Sequence, residues 1–204
     1  MKRVEISSEK SPNFIGCWYI DDENISKGII EFFENNQALQ TKGSTAKGVE
    51  ESRKRSTDIT ISPNKLSDPK YKVFQDYFSE LQKCFLDYRE QWPFVKEFLT
   101  KVNVGPFNVQ KYFPGDHFAA LHSERTGLST LHRIFAFMTY LNDVPDGGTE
   151  FLYQDLTLKA KKGDTVIWPA EWTHTHKSQI STTHEKYIAT GWFSLIPDKD
   201  NGSS

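Results

Sequence analysis

The chain has 204 residues, a length that suits one sizeable domain and is short for two. Lysine and arginine total 25 against 27 for aspartate and glutamate, so the net charge of −2 gives no whole-chain argument for binding nucleic acid or an anionic membrane. Aromatic residues make up 14%, enough for a large buried core. Cys17 and Cys84 make neither a disulfide framework nor a paired metal motif and suit a reducing compartment. No run approaches the roughly 20 apolar residues of a spanning helix. The opening MKRVEISSEKSPN lacks the apolar stretch of a secretory signal. The expectation is a soluble, cytoplasmic protein.

The first half reads as mainly helical. DDENISKGIIEFFENNQ sets Ile25, Ile29, Phe32 and Phe33 near helical spacing behind an acidic start. TKGSTAKGVEESRKRSTD follows, rich in Gly, Ser, Thr and charge, and reads as a mobile loop flanked by short strands. Its Arg53, Lys54 and Arg55 suit a solvated basic cluster. SDPKYKVFQDYFSELQKCFLDYREQW is a stronger helix. Asp68 can cap it, Pro69 suits its first position, and Phe74, Tyr77, Phe78, Leu81, Phe85 and Tyr88 make one apolar stripe.

The second half changes to a period of two. FNVQKYF, RIFAFMTYLN, TEFLYQ, LTLKA, DTVIWP, THTHK and KYIATGWFSL read as strands, with turns at PGD (114–116), PDGG (145–148) and KKGD (161–164). FAFMTYL is apolar on both faces, which suits a central strand. The expected architecture is α+β: a double-stranded β-helix (jelly-roll) core at about 101–196, with helical support at about 14–100 packed on one sheet.

Two pairs of residues carry candidate chemistry. Residues i and i+2 of a strand face the same way, with Cα atoms about 6.6 Å apart. His122 and Glu124 can therefore converge on one ion, although His-x-Glu is common by chance. His174 and His176 in WTHTHK supply the second pair. Two histidines and one carboxylate make a facial triad that leaves positions open on iron(II). A zinc site, or polar histidines at a sheet edge, are the alternatives. His117, His132 and His184 read as ordinary residues, with His132 able to approach the site. In EKYIATGWFSL, Lys186, Ile188, Thr190, Trp192 and Ser194 share one face, against an apolar face of Tyr187, Ala189, Gly191, Phe193 and Leu195. Lys186 is either solvated or lines a pocket, where its ammonium beside the Thr190 hydroxyl would hold a carboxylate. Asn108, Gln110 and Tyr112 share another such face, as do Met138 and Tyr140.

Taken together, Tyr112, Pro114-Gly115, His122-Ser-Glu124, Tyr140-Leu141-Asn142, Gly147-Gly148, His176 and Lys186 stand in an order that resembles the iron(II)- and 2-oxoglutarate-dependent dioxygenases, most closely the prolyl 4-hydroxylase branch. The resemblance covers 107–195. It implies that His122, Glu124 and His176 bind Fe(II), with Glu124 in place of the usual Asp. His176 is favoured over His174 because 186 − 176 = 10 residues separate it from Lys186, the family interval. Lys186 would then hold the distal carboxylate of 2-oxoglutarate, helped by Tyr140 and Thr190, with Tyr112 near this cosubstrate. Arg133 would lie at the substrate entrance and Trp192 would pack under the pocket. GSTAKGVEESRKRSTD stands where the family has a mobile substrate-covering loop, its RKRSTD partly matching the family's Arg-x-Ser, as the alternative to a solvated basic cluster.

The implied reaction hydroxylates a C–H bond, releasing succinate and CO2, with molecular oxygen as partner and ascorbate as a further candidate cofactor. The implied substrate is a prolyl residue in a peptide or protein. Phe137, Met138, Ile188 and Trp192 would form an apolar surround. A cupin-like metal enzyme without 2-oxoglutarate, a non-catalytic jelly-roll binding module and an assembly jelly-roll are the alternatives. Of these, the cupin-like enzyme has no need of Lys186.

Overall fold

The computed structural model describes residues 12–20, 22–45, 48–99 and 101–196. Most of the opening MKRVEISSEKSPN, and residues 46 and 47 of the expected loop, lie outside them. Among the described residues eleven strands form two antiparallel sheets, which make the double-stranded β-helix core of an α+β fold. The major sheet runs β1 (Gly16–Tyr19), β9 (Asp164–Pro169), β6 (Arg133–Tyr140), β11 (Lys186–Leu195), β5 (Phe107–Tyr112), β3 (Thr57–Ile61), β2 (Thr41–Lys42), and β4 (Val102–Val104) pairs the end of β11. The minor sheet runs β10 (His176–Ser178), β7 (Val144–Phe151), β8 (Leu156–Ala160).

The period-two pattern decides what each face touches. On β6, Phe135 and Phe137 turn outward to a layer formed by α1 (Glu23–Asn35) and α2 (Lys72–Gln91), and share one core with Ile29, Phe33, Phe74 and Tyr77. Ala136, Met138 and Tyr140 turn inward to meet Val144, Phe151 and Trp168 between the sheets. FAFMTYL is apolar on both sides because it lies between two cores. The expected apolar surround of the site is corrected at one residue: Phe137 belongs to the helix-side core, while Met138, Ile188 and Trp192 face inward.

Four further expectations are revised. The 14–100 segment gives more than helices and the short strands expected beside the loop, which are β2 and β3: β1 also joins the major sheet, against β9. Asp68 accepts from Lys70 N and caps a 3-10 turn at Pro69–Tyr71, and α2 starts only at Lys72. The turn expected at 145–148 lies inside β7, where the register against β8 shifts between Val144 and Thr149. A Cβ on Gly148 would run into the Leu158 carbonyl, so the bulge needs glycine. THTHK is not one strand: Trp172–His174 forms a 3-10 turn, and β10 begins only at His176.

The helix layer is held chiefly by aromatic contacts. Phe74 is fully buried, edge-on to Phe107 at 5.5 Å and to Phe32 at 4.9 Å. Phe74→Ala is expected to lower unfolding free energy by about 3–5 kcal/mol, read by urea denaturation. A loss below about 1 kcal/mol, the scale of a surface substitution, would contradict this packing.

Candidate functional site

The inward faces of β5, β6 and β11 and the minor sheet enclose a cavity of about 750 Å³. Its position follows from register. Lys186 pairs with Tyr112, Ile188 with Gln110 and Tyr140, and Thr190 with Asn108 and Met138, and all of these line it. Arg133, Trp192 and His132 also line it.

His122, Glu124 and His176 meet at this cavity, with ligand atoms all within 4.8 Å of one another. The means differs from the expected strand. ALHSE has no regular structure, and only an isolated antiparallel bridge joins His122 to His176 through His122 N to His176 O at 3.0 Å and His176 N to His122 O at 2.9 Å. Each Nδ1 faces a backbone carbonyl, His122 that of Ala120 at 2.8 Å and His176 that of His174 at 2.9 Å. A carbonyl only accepts, so each Nδ1 carries the proton and each neutral ring presents a lone pair at Nε2. Both Nε2 atoms face Glu124 Oε1, at 3.9 Å from His122 and 3.3 Å from His176. Three acceptors turned toward one point repel unless a cation or a proton lies among them, so the donor set fits a divalent metal.

Electrostatics favour the ligating forms. Burial pushes the His122 imidazole down to about 4, with the neighbouring His176 acting in the same direction. Burial alone would raise the Glu124 carboxyl, but the imidazoles of His176 and His122 when protonated, together with the Trp192 N–H, hold it well below the usual carboxylate range. Trp192 Nε1 donates to Glu124 Oε2 at 2.8 Å, which leaves Oε1 to the imidazoles. No local pattern announces that bond. Arg133 lies 3.5 Å over the Trp192 ring and donates to the Glu124 carbonyl. Phe118 stacks on His122 at 3.6 Å, another contact that its spacing did not announce.

His174, the competing histidine, is turned away. Its Nε2 meets the Asn13 carbonyl at 2.8 Å and its Nδ1 the Thr173 hydroxyl. His117 pairs through its backbone with Arg55, and the His184 ring bonds Thr183.

Lys186 is 4% exposed, so the solvated alternative fails. Its ammonium donates to three neutral oxygens, Gly147 O, Ser178 Oγ and Gln179 O, and lies 5.0 Å from the centroid of the Tyr112 ring. Burial pushes it down to about 8, against a smaller opposing pull from Asp146. A buried cation bonded only to neutral oxygens suits an anionic ligand. Thr190 is not beside it. Four residues of strand put the two about 13 Å apart, and the Thr190 hydroxyl donates to Phe137 O. The hydroxyl next to Lys186 is that of Ser178. Tyr140 is buried with its hydroxyl against Thr149, and the Tyr112 hydroxyl donates to Gln110 Oε1. The basic run is also corrected: Lys54 is buried and ion-paired with Asp58, whereas Arg53 and Arg55 keep much of their exposure.

Residues 107–194 match the profile of the 2OG-Fe(II) oxygenase superfamily. Among solved structures, a prolyl-4-hydroxylase from Pseudomonas putida is similar over 91% of this chain and 94% of its own, at 14% identity and TM-score 0.68. A viral collagen prolyl hydroxylase from Paramecium bursaria Chlorella virus-1, solved with 2-oxoglutarate, covers 90% and 97% at 15% identity and TM-score 0.63. A Trichoplax adhaerens prolyl hydroxylase, solved with a peptide fragment of the hypoxia inducible factor oxygen degradation domain, covers 89% and 84% at 12% identity and TM-score 0.68. No curated protein matches by sequence. At these identities the solved structures establish the fold. No helix among the described residues is long and apolar enough to cross a membrane.

The two histidines can be separated by experiment. His174→Ala removes a hydrogen bond to Asn13, so it should cost about 1 kcal/mol of stability and leave cobalt(II) affinity at the wild-type value. Loss of cobalt in His174→Ala with retention in His176→Ala would contradict the arrangement.

Proposed function

We propose that this chain, which belongs through residues 107–194 to the 2OG-Fe(II) oxygenase superfamily, is a dioxygenase that hydroxylates a prolyl residue in a peptide or protein substrate. The observation that carries the reading is the pairing of two features on one cavity: a three-donor cluster with lone pairs converging, and a buried lysine bonded only to neutral oxygens. A metal enzyme without 2-oxoglutarate explains the first but has no use for the second.

In this reading His122, Glu124 and His176 hold Fe(II), and Lys186 holds the remote carboxylate of 2-oxoglutarate. When bound, iron and 2-oxoglutarate supply the oxidation: one oxygen atom of O2 enters the C–H bond, the other enters succinate, and CO2 leaves. The chain's own groups prepare the site. The Ala120 and His174 carbonyls fix both imidazole tautomers, as outer partners of metal-bound histidines do. The Trp192 N–H holds one oxygen of Glu124, so the longer side chain, standing where the family has Asp, is restrained to present the other. Tyr112 packs its ring against the Lys186 ammonium, and Tyr140 and Thr190 line the same wall. Met138, Ile188 and Trp192 give the cavity apolar surface that limits stray oxidation. Arg133, packed against Trp192, would stand at the substrate side in this reading. A peptide substrate is supported by the likeness to prolyl hydroxylases, of which the Trichoplax protein is bound to a peptide.

Three outcomes test the reading. His122→Ala and Glu124→Ala each remove a donor and should weaken iron binding at least tenfold with the thermal midpoint nearly unchanged, because catalytic metals are not structural staples; normal iron stoichiometry in both would reject the cluster. Lys186→Ala removes a charge-assisted contact of about 1.5–3 kcal/mol, which is roughly 10- to 150-fold in affinity, and should raise the 2-oxoglutarate constant by that factor with iron binding kept. The third outcome is pH dependence. Lys186 is charged below its value of about 8 and neutral above it. The wild-type 2-oxoglutarate constant should therefore be flat below that pH and rise above it, while Lys186→Arg, charged throughout, should stay flat. A wild-type profile without that rise would place the cosubstrate elsewhere. The substrate itself is sought by mass spectrometry, as the gain of one oxygen atom on proline-containing peptides.

A further inference from the structure

Residues 43–45 and 48–56 flank the cavity, and Ser44, Thr45, Arg53 and Lys54 line it. They are tied to the barrel by backbone and by charge. Gly43 N donates to Ser56 O, and Arg55 and His117 exchange two backbone hydrogen bonds, Arg55 N to His117 O at 2.7 Å and His117 N to Arg55 O at 3.0 Å. An antiparallel bridge centred on 55 and 117 sets residue 54 across from residue 118. Lys54 accordingly lies with its ammonium 5.7 Å from the centroid of the Phe118 ring. Phe118 in turn lies flat on the His122 imidazole, with ring centroids 3.6 Å apart and planes 8° apart.

Lys54 is 3% exposed, although it stands between two arginines that keep much of their exposure. Its ammonium is 2.6 Å from Asp58 Oδ2. Asp58 also accepts from Ser56 Oγ at 2.7 Å and from Gln110 Nε2 at 3.2 Å, and Gln110 Oε1 accepts from the Tyr112 hydroxyl. Lys54 thus stands where two chains of contacts part. One runs through Phe118 to His122, and the other through Asp58 and Gln110 to Tyr112, whose ring faces Lys186. A buried ion pair replaced by neutral groups is often as stable, so stability alone is a weak reason for this pair.

We propose that Lys54 is a positioning residue: its buried ammonium, anchored by Asp58, fixes Phe118 in the stack that orients the His122 ring toward Glu124. The inference rests on the reading of His122 as a metal ligand, but the orientation exists in the metal-free chain and can be tested there. The charge on Lys54 holds the positive pole over the Phe118 π-face. The Asp58 carboxylate keeps that pole from leaving for solvent, and the bridge at Arg55 keeps residue 54 opposite residue 118.

The test uses Lys54→Met, which keeps most of the side chain's length and removes the charge, and Lys54→Met/Asp58→Asn, which removes both charges and so leaves no lone buried carboxylate to unfold the chain. The first readout is the carbon-bound ring protons of His122 in metal-free protein, by carbon–proton NMR. Stacking on Phe118 shifts them upfield in the wild type. Both variants should lose much of that shift while other aromatic signals and the thermal midpoint of the double variant stay near wild type. The second readout is cobalt(II) affinity, which should fall by about tenfold, the scale of lost outer-partner support at metal-bound histidines. Unchanged His122 signals in the folded double variant would overturn the proposal. If wild type itself binds no cobalt(II), the metal reading fails, and the NMR result still decides whether Lys54 positions the ring.

Discussion

Two backbone hydrogen bonds, between the amides and carbonyls of His122 and His176, join a segment without regular structure to the first residue of β10. They set the two imidazoles side by side, with ring centroids 4.3 Å apart, from positions 54 residues apart in the chain. That bridge and one carbonyl behind each Nδ1 constrain the orientation of both rings. The remaining supports act on this pair. Phe118 flanks one ring, Phe151 and Trp168 flank the other, and Trp192 holds the carboxylate that faces them both. The two sheets supply the rigidity, since β10 is anchored on β7 and Trp192 belongs to the ten-residue β11.

The two buried lysines of the cavity show how the same side chain is used in two ways. Lys54 is matched by Asp58, so its charge is neutralised locally and serves geometry. Lys186 donates only to neutral oxygens among the described residues and is held off its ordinary value by burial. The first is a closed arrangement and the second is open to an anion. The open one is built by the backbone irregularity at 145–148, where the Gly147 carbonyl accepts from Lys186 and where a Cβ on Gly147 would strike Val144.

Much of this was legible in the sequence, for specific physical reasons. A strand with a period of two declares its two faces, so the inward set from Lys186 to Ser194 and the central place of β6 followed from residue order. LTLKA, DTVIWP and KYIATGWFSL have the bounds of β8, β9 and β11 because turn residues flank them. The failures fall where local pattern carries no information about partners. Phe137 and Met138 are adjacent and both apolar, and only register assigns one to each core. THTHK alternates like a strand, yet its first part closes into a 3-10 turn that sends His174 toward Asn13. Lys54 cannot be told from Arg53 and Arg55 by composition; its burial depends on Asp58 and on the bridge at His117. Thr190 shares a face with Lys186, but a shared face extends along the whole strand and does not mean contact.

The central claim is that one cavity takes iron on His122, Glu124 and His176 and 2-oxoglutarate on Lys186, with the two ligands touching. The most direct measurement is an oxygen-free titration of the iron(II)-loaded protein with 2-oxoglutarate, followed by visible absorption. A keto acid chelated to iron(II) gives a charge-transfer band that neither component gives alone. The account predicts that this band grows to saturation at one equivalent of each. Tight iron binding with no band at any 2-oxoglutarate concentration would contradict it.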